Sequence, residues 1–239
     1  MPETTNYEKR KKIVKLLTAF YLIPLGIMVL FNAGNSLLRT TYFELYKDME
    51  TAKYKWDDPI LLLIVTGMVL FLLYRLSITE WFQRTGKLSL TALLFGTGVS
   101  LVIVLLVRGT AICDGETVSK IAISFMQGNY DAFRQGEYLY NYSFQIGLTA
   151  FLEVLYHLAG VENYLAFQII NVAAVAIILF SLDQITKELF PENVRKLESV
   201  LSMGMLPLFL FSTFVYGDLI GWAFGMLAIC QMLCYLKRD

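Results

Sequence analysis

Long apolar segments recur along the whole sequence and constrain the fold more than any other feature. They lie at residues 13–31, 60–78, 88–107, 144–159, 164–182, 197–215 and 219–236. A helix crosses the ~30 Å hydrocarbon core of a bilayer with about 20 apolar residues, a length that most of these segments approach. Hydrophobic residues make up 56% of the 239 residues and charged residues only 17%, which is too apolar for an ordinary soluble domain. The sequence therefore predicts an all-α, polytopic membrane protein.

Basic residues predict the orientation, because Lys and Arg accumulate in the cytoplasmic loops of membrane proteins. Residues 9–12 read Lys-Arg-Lys-Lys and precede the first apolar segment. Arg75, Arg84 and Lys87 flank the turn between the second and third segments. We therefore expect the N-terminus and this turn to be cytoplasmic, which places the loop at residues 108–143 on the extracytoplasmic face of the plasma membrane.

The fourth segment, residues 144–159, decides the number of spans. If it crosses the membrane, the basic stretch at residues 187–196 falls outside, against the charge rule. Polar residues also recur every four positions along it, as a stripe on one helix face. They are Gln145, Thr149, Glu153 and His157. Because a carboxylate that faces lipid is costly, we expect six transmembrane helices plus one juxtamembrane or re-entrant helix, with Asp218 on the same face as Asp114. Seven spans is the alternative.

Asp114 is the leading candidate for a catalytic residue. It stands a few residues beyond the third apolar segment, within the sequence Cys-Asp-Gly-Glu, and an amphipathic helical pattern follows it. A carboxylate in this place could accept a proton from a substrate at the bilayer surface. It could equally cap the helix that follows, with Glu116 near the positive end of the helix dipole. The two interpretations are compatible, and both stay open.

The rest of the loop at residues 108–143 is rich in aromatic and basic side chains. Aromatic rings alternate at its end, at Tyr138, Tyr140, Tyr142 and Phe144. They could stack on a sugar ring or form an aromatic belt at the membrane interface. Arg108, Lys120 and Arg134 could pair with a phosphate, or they could be headgroup contacts and solvated charges.

The net charge and the Cys and His residues indicate which classes of partner and cofactor the sequence supports. The formal net charge is zero, so bulk charge indicates no nucleic-acid partner. The three cysteines show no CxxC or Cys/His metal spacing and indicate no disulfide framework, and His157 is the single histidine. Cofactor use stays open, since a divalent cation would have no clear set of ligands.

Several short motifs follow one another in a distinctive order between residues 88 and 239. They are Asp114-Gly-Glu116, Phe125-Met-Gln-Gly-Asn-Tyr130, Gly136-Glu-Tyr138, Tyr142-Ser-Phe-Gln-Ile-Gly-Leu148, Leu158-Ala-Gly160 and Tyr216-Gly-Asp218. This order resembles the GT-C superfamily of polyprenyl-phosphate-dependent glycosyltransferases. Within it, the chain is most similar to the branch that holds protein O-mannosyltransferases and lipid A aminoarabinose transferases. It departs from that branch in reading Asp-Gly-Glu for Asp-Glu, and in lacking a clear acidic residue near Asn141.

The resemblance implies a GT-C-like core at residues 88–239 with its catalytic loop at residues 108–143. Residues 1–87 would add a cytoplasmic tail and two extra spans, and further C-terminal spans are expected beyond residue 239. The implied activity is an inverting, hexosyltransferase-like transfer of a sugar from a polyprenyl phosphate to a hydroxyl of a lipid, glycan or protein. Asp114 would be the general base, with Asp218 and Glu116 as further catalytic residues. Candidate substrate-binding residues are Lys120, Arg134, Tyr138, Tyr142 and Gln145.

A non-enzymatic membrane protein, either part of a transporter or an assembly scaffold, is the alternative function. A transporter would favour ionisable groups or broken helices near the bilayer midplane. The predicted spans hold few ionisable groups, and the charge gathers at one outer face. This distribution favours chemistry at the membrane surface.

Overall fold

The computed structural model describes Phe20 and residues 22–36, 38–46 and 49–236. The basic residues 9–12, the start of the predicted first span and the basic C-terminal pair at residues 237–238 lie outside the described residues. The chain divides into two compact units, Met1–Tyr74 and Arg75–Asp239.

The first unit contains a β-hairpin that the sequence pattern did not predict. An apolar helix, α1 (Leu22–Ser36), precedes the antiparallel strands β1 (Arg39–Tyr46) and β2 (Met49–Trp56). The Arg39 guanidinium lies over the Trp56 ring, 4.3 Å from its centroid, and a cation in this position is attracted by the face of the ring. Residues 39–46 and 49–56, between the first two apolar runs, are therefore paired strands.

The second unit is helical in all of its regular elements that the structure describes. The boundary between the two units falls within helix α2 (Pro59–Ser77). The helices that follow are α3 (Glu80–Arg84), α4 (Leu88–Val107), α5 (Cys113–Met126), α6 (Tyr138–Asn141), α7 (Ile146–Ala159), α8 (Tyr164–Leu189), α9 (Glu192–Met203), α10 (Leu206–Phe211) and α11 (Asp218–Leu236).

Helix α8 is the centre of this unit, because α4, α9 and α11 all pack against it. Its apolar face forms one core with α10 and α11, which includes Val175, Ile178 and Phe209. A Cβ atom on Gly96 of α4 would lie 2.6 Å from Cδ1 of Leu179, so glycine lets α4 approach α8 closely. A second core lies beneath α5, where Val118, Leu152 and Phe167 are fully buried.

Four helices in the described part of the chain are long and apolar enough to cross a membrane: α2, α4, α8 and α11. This supports a membrane protein but gives fewer spans than the six predicted. Residues 13–19 and 21 of the first predicted span lie outside the described residues, so this span stays a prediction. The predicted span at residues 197–215 is broken, because α9 ends at Met203 and α10 begins at Leu206, next to Pro207. Proline cannot continue a preceding helix without losing a backbone hydrogen bond.

The fourth apolar segment forms α7, whose 14 residues extend about 21 Å at 1.5 Å per residue. That length is too short to cross the hydrocarbon core. Helix α7 packs mainly against the amphipathic helix α5. Gln145 and Thr149, the first two residues of the predicted polar stripe, are buried, whereas His157 is exposed. These observations agree with a juxtamembrane helix and not with a seventh span.

Candidate functional site

Asp114 lies in the first turn of α5, a few residues after the end of α4. Helix α4 ends where Arg108 adopts the left-handed conformation (φ 46°), and α5 begins after Ile112, which makes no side-chain capping bond. The Asp114 side chain is exposed and is not at the capping position. Its charge still lies near the positive end of the α5 dipole, where a carboxylate is favourable. The structure therefore does not support the interpretation that this carboxylate caps the helix.

Gly115 brings the first turn of α5 directly against the segment that leads into α11. A Cβ atom at this position would lie only 2.6 Å from the carbonyl oxygen of Val215, a distance that real Cβ atoms do not adopt. Glycine is therefore required for this close approach. The middle residue of the Asp-Gly-Glu motif thus places Asp114 beside the turn that ends at Asp218, the first residue of α11.

Tyr216 lies near both carboxylates. Burial raises the pKa of its hydroxyl, a hydrogen bond from the Gln145 amide opposes this, and the negative charges of Asp114 and Asp218 add to the rise. Both carboxylates therefore lie close enough to one phenol to act on it electrostatically. That Asp114 and Asp218 share one membrane face stays a prediction. Tyr216, which lies near both carboxylates, was not predicted as a site residue.

Tyr138 is the second phenol beside Asp114. Burial raises the pKa of its hydroxyl well above the usual range, and the nearby Asp114 carboxylate adds to this. The hydroxyl is buried, yet it makes no hydrogen bond of standard geometry with any residue the structure describes. The Tyr142 ring lies 4.9 Å from the Tyr138 ring and 6.1 Å from that of Phe144. A line of aromatic rings thus connects Asp114 with the start of α7.

Two grooves meet at Asp218. The first has a volume of about 490 Å³ and is lined by Phe144, Gln145, Gly147, Leu148, Phe151, Tyr216, Gly217, Asp218 and Ile220. The second, of about 440 Å³, is lined by Met205, Pro207, Leu208, Phe211, Asp218, Leu219 and Trp222. Apart from Asp218, the second groove is apolar. An amphiphile could therefore place its polar head at the carboxylate and an apolar chain against α10 and α11.

Of the eight predicted site residues, only Asp218 and Gln145 line these grooves. The other six do not: Asp114, Glu116, Lys120, Arg134, Tyr138 and Tyr142. Glu116 and Lys120 form an ion pair one turn apart on α5, and this contact raises the pKa of the Lys120 ammonium group. Arg134 pairs with Asp131, with 2.8 Å between Nη2 and Oδ1. All four side chains are exposed. Gln145, in contrast, is buried and lines the first groove.

No group of three or more His, Cys, Asp or Glu side chains that could hold a metal ion occurs in the part of the chain that the structure describes. Comparison of the chain with protein-family models, with curated proteins and with solved structures finds no match. The resemblance to the GT-C superfamily therefore rests on the motifs of the sequence alone.

Proposed function

We propose that this protein is an integral-membrane glycosyltransferase that uses a sugar carried on a polyprenyl phosphate. The observation that carries the proposal is that Asp114 and Asp218 both lie near Tyr216, and that Asp218 also lines an apolar groove. Such a site can bring a carboxylate to the head of a lipid-linked substrate at the bilayer surface. The proposed site faces the extracytoplasmic side of the plasma membrane.

Asp114 is the proposed general base. Its carboxylate is exposed and adjoins the groove region, so it can accept the proton of an acceptor hydroxyl as that oxygen attacks the anomeric carbon of the sugar. The attack displaces the polyprenyl phosphate and inverts the anomeric centre. A correctly placed base contributes roughly 10²–10⁴-fold to such a step. Asp218 would bind the acceptor or orient it toward Asp114.

The leaving polyprenyl phosphate carries negative charge, which nearby donors must stabilise. The Tyr138 hydroxyl, which lies near Asp114, and the Gln145 amide, which donates to Tyr216, are candidate donors. Lys120 and Arg134 would first have to leave their carboxylate partners. We therefore assign the two basic residues a smaller part in binding than the buried donors. The polyprenyl chain would occupy the groove between α10 and α11.

Sugar transfer in proteoliposomes tests the proposal. The purified chain is supplied with radiolabelled polyprenyl-phosphate sugars and with lipid, glycan and peptide acceptors, and the labelled product is measured. We expect transfer by the natural sequence and a loss of at least about 10²-fold in Asp114→Asn. Equal product formation by both proteins would contradict the assigned base, and no transfer or donor hydrolysis with any donor would contradict the activity.

A further inference from the structure

Two buried amides on α8 connect the backbone segments that carry the two carboxylates. Gln168 and Asn171 lie one turn apart near the start of α8, and both are fully buried. The Gln168 amide nitrogen donates to the carbonyl oxygen of Gly109 at 2.9 Å and to that of Thr213 at 2.7 Å. One side chain therefore links the segment before α5 to the segment before α11.

Asn171 holds the second of these segments at two further points. Its amide nitrogen donates to the carbonyl oxygens of Ser212 at 3.2 Å and of Phe214 at 2.7 Å. The carbonyls at a helix end need donors from outside the helix, and a primary amide offers two N–H groups from one nitrogen. Gln168 and Asn171 together thus fix the segment at residues 212–214 from the side of α8.

Packing alone does not explain why these two buried positions on α8 carry amide side chains. Gln168 Oε1 and Asn171 Oδ1 are buried without a hydrogen-bond partner among the described residues, and a buried polar atom without a partner is unfavourable. An apolar side chain would fill the same space at the interface of α8 without that cost. The amides are therefore explained by what their N–H groups hold in place.

We propose that Gln168 and Asn171 are positioning residues that set the separation of Asp114 and Asp218. They touch neither carboxylate and act through the backbone segments that lead to them. Their effect on catalysis rests on the proposed function, whereas their effect on the two segments does not. Hydrogen exchange therefore measures how firmly the two segments are held. The kinetics of sugar transfer measure the effect on catalysis.

Hydrogen exchange tests the contact itself. In the full chain, reconstituted in nanodiscs, Gln168→Ala should raise the exchange rates of peptides that cover residues 108–117 and 212–217 by about 10-fold or more. Ser181→Ala is the matched control, since Ser181 is buried on the same helix and its hydroxyl has no partner among the described residues. We expect the control to exchange like the natural sequence. Unchanged exchange in Gln168→Ala would overturn the proposal.

A disulfide can replace the lost amide. A Cβ atom on Gly109 would lie 3.8 Å from Cβ of Thr213 and 3.2 Å from the Gln168 nitrogen. It would also lie 3.1 Å from the Thr213 carbonyl oxygen, which must therefore shift by a few tenths of an ångström. The first distance suits a disulfide, whose Cβ atoms are about 3.5–4.5 Å apart, and Gln168→Ala removes the second contact. We combine Gly109→Cys and Thr213→Cys with Gln168→Ala, after replacing the three native cysteines. Oxidation should restore slow exchange and reduction should abolish it.

Transfer kinetics then separate positioning from folding. We expect Gln168→Ala to lower kcat by about 10-fold or more with a smaller change in KM for the donor, and oxidation of the engineered pair to recover most of kcat. Restored exchange without restored kcat would overturn the role in catalysis. If the natural sequence transfers no sugar, the proposed function fails, while the exchange and disulfide results still decide whether the amides hold the two segments.

Discussion

At the residue scale, Asp114 differs from Glu116 in its surroundings although both lie in the first turn of α5. Glu116 pairs with Lys120 on the exposed side of the helix, whereas Asp114 lies beside the hydroxyls of Tyr138 and Tyr216. We expect Asp114→Asn to lower sugar transfer by at least about 10²-fold, because an amide cannot accept the proton. The melting temperature should change little, since Asp114 makes no capping bond.

Glu116→Gln is the matched control for that substitution, because it removes a carboxylate two positions away in the same turn. It should retain transfer within about three-fold, since an exposed ion pair contributes little to stability. Initial rates and melting temperatures of both variants are compared in the same detergent. A larger loss in Glu116→Gln than in Asp114→Asn would assign the base to Glu116.

Tyr138 gives a second prediction at this scale. Its buried hydroxyl has no hydrogen bond of standard geometry among the described residues, but the Asp114 carboxylate lies near it. Tyr138→Phe should therefore change the melting temperature little. Transfer should fall by about 10-fold if the hydroxyl donates to Asp114 or to substrate. Tyr140→Phe, at an exposed ring, should alter neither quantity. A clear loss of stability in Tyr138→Phe would show that the hydroxyl is satisfied in the folded protein.

At the element scale, the contact between α5 and the turn before α11 depends on Gly115. Gly115→Ala would place a methyl group 2.6 Å from the Val215 carbonyl oxygen. Such overpacking typically costs about 1–3 kcal/mol, which exceeds the ~1 kcal/mol that alanine gains in a helix. We expect a lower melting temperature and lower transfer.

Gly98→Ala provides the comparison for Gly115→Ala. Gly98 lies within α4, and no atom lies within 4 Å of its added Cβ. This substitution should be neutral or stabilising, because it gains helix propensity without a steric cost. Equal melting temperatures for the two alanine variants would mean that α5 does not rest against Val215.

The contact of α5 with α7 includes a buried tyrosine whose stability contribution depends on pH. The Tyr156 hydroxyl lies 2.6 Å from that of Ser119, and burial raises the pKa of Tyr156 to about 12, from about 10 in an unfolded chain. The unfolded state therefore loses its proton first. The contribution of this group is fully present below about pH 10 and is lost as the pH rises to about 12.

We expect Tyr156→Phe to be less stable than the natural sequence at about pH 9, by about 1 kcal/mol for the lost hydrogen bond. The difference should shrink or reverse at about pH 11.5, because the variant has no phenol to ionise at that position. The free energies of unfolding of both proteins are measured in detergent at both pH values. A difference that does not vary with pH would contradict the raised pKa of Tyr156.

The elements also show which features can be predicted from a single sequence. Periodic polarity predicted that α7 differs from the membrane spans, because its stripe is a local pattern, and α7 is shorter than the four candidate spans. The break between α9 and α10 lies inside one apolar run, so hydropathy alone joined the two helices. The amides of Gln168 and Asn171 were missed for a related reason, since they are isolated polar residues in a span. The backbone carbonyls to which the two amides donate are distant in sequence, so the contacts can be seen only in the folded structure.

At the scale of the whole molecule, three helix ends meet on one side of the second unit. The Gln168 bonds link the start of α8 to Gly109, after α4, and to Thr213, before α11. The other end of α8 carries the ion pair of Asp183 with Arg195, with 2.8 Å between Oδ1 and Nε. The carboxylate site and the basic stretch at residues 187–196 thus lie at opposite ends of an apolar helix.

This separation gives a prediction for the topology, because basic residues favour the cytoplasmic side. Gln135 and Asn193 are exposed polar residues near the two ends, and each is replaced by cysteine after removal of the three native cysteines. A membrane-impermeant maleimide added to intact cells should label the Gln135→Cys protein. The Asn193→Cys protein should react only after the membrane is made permeable, and its labelling then controls for side-chain accessibility. Labelling of Asn193→Cys alone in intact cells would place the carboxylates in the cytoplasm, where a donor in the outer leaflet cannot reach them.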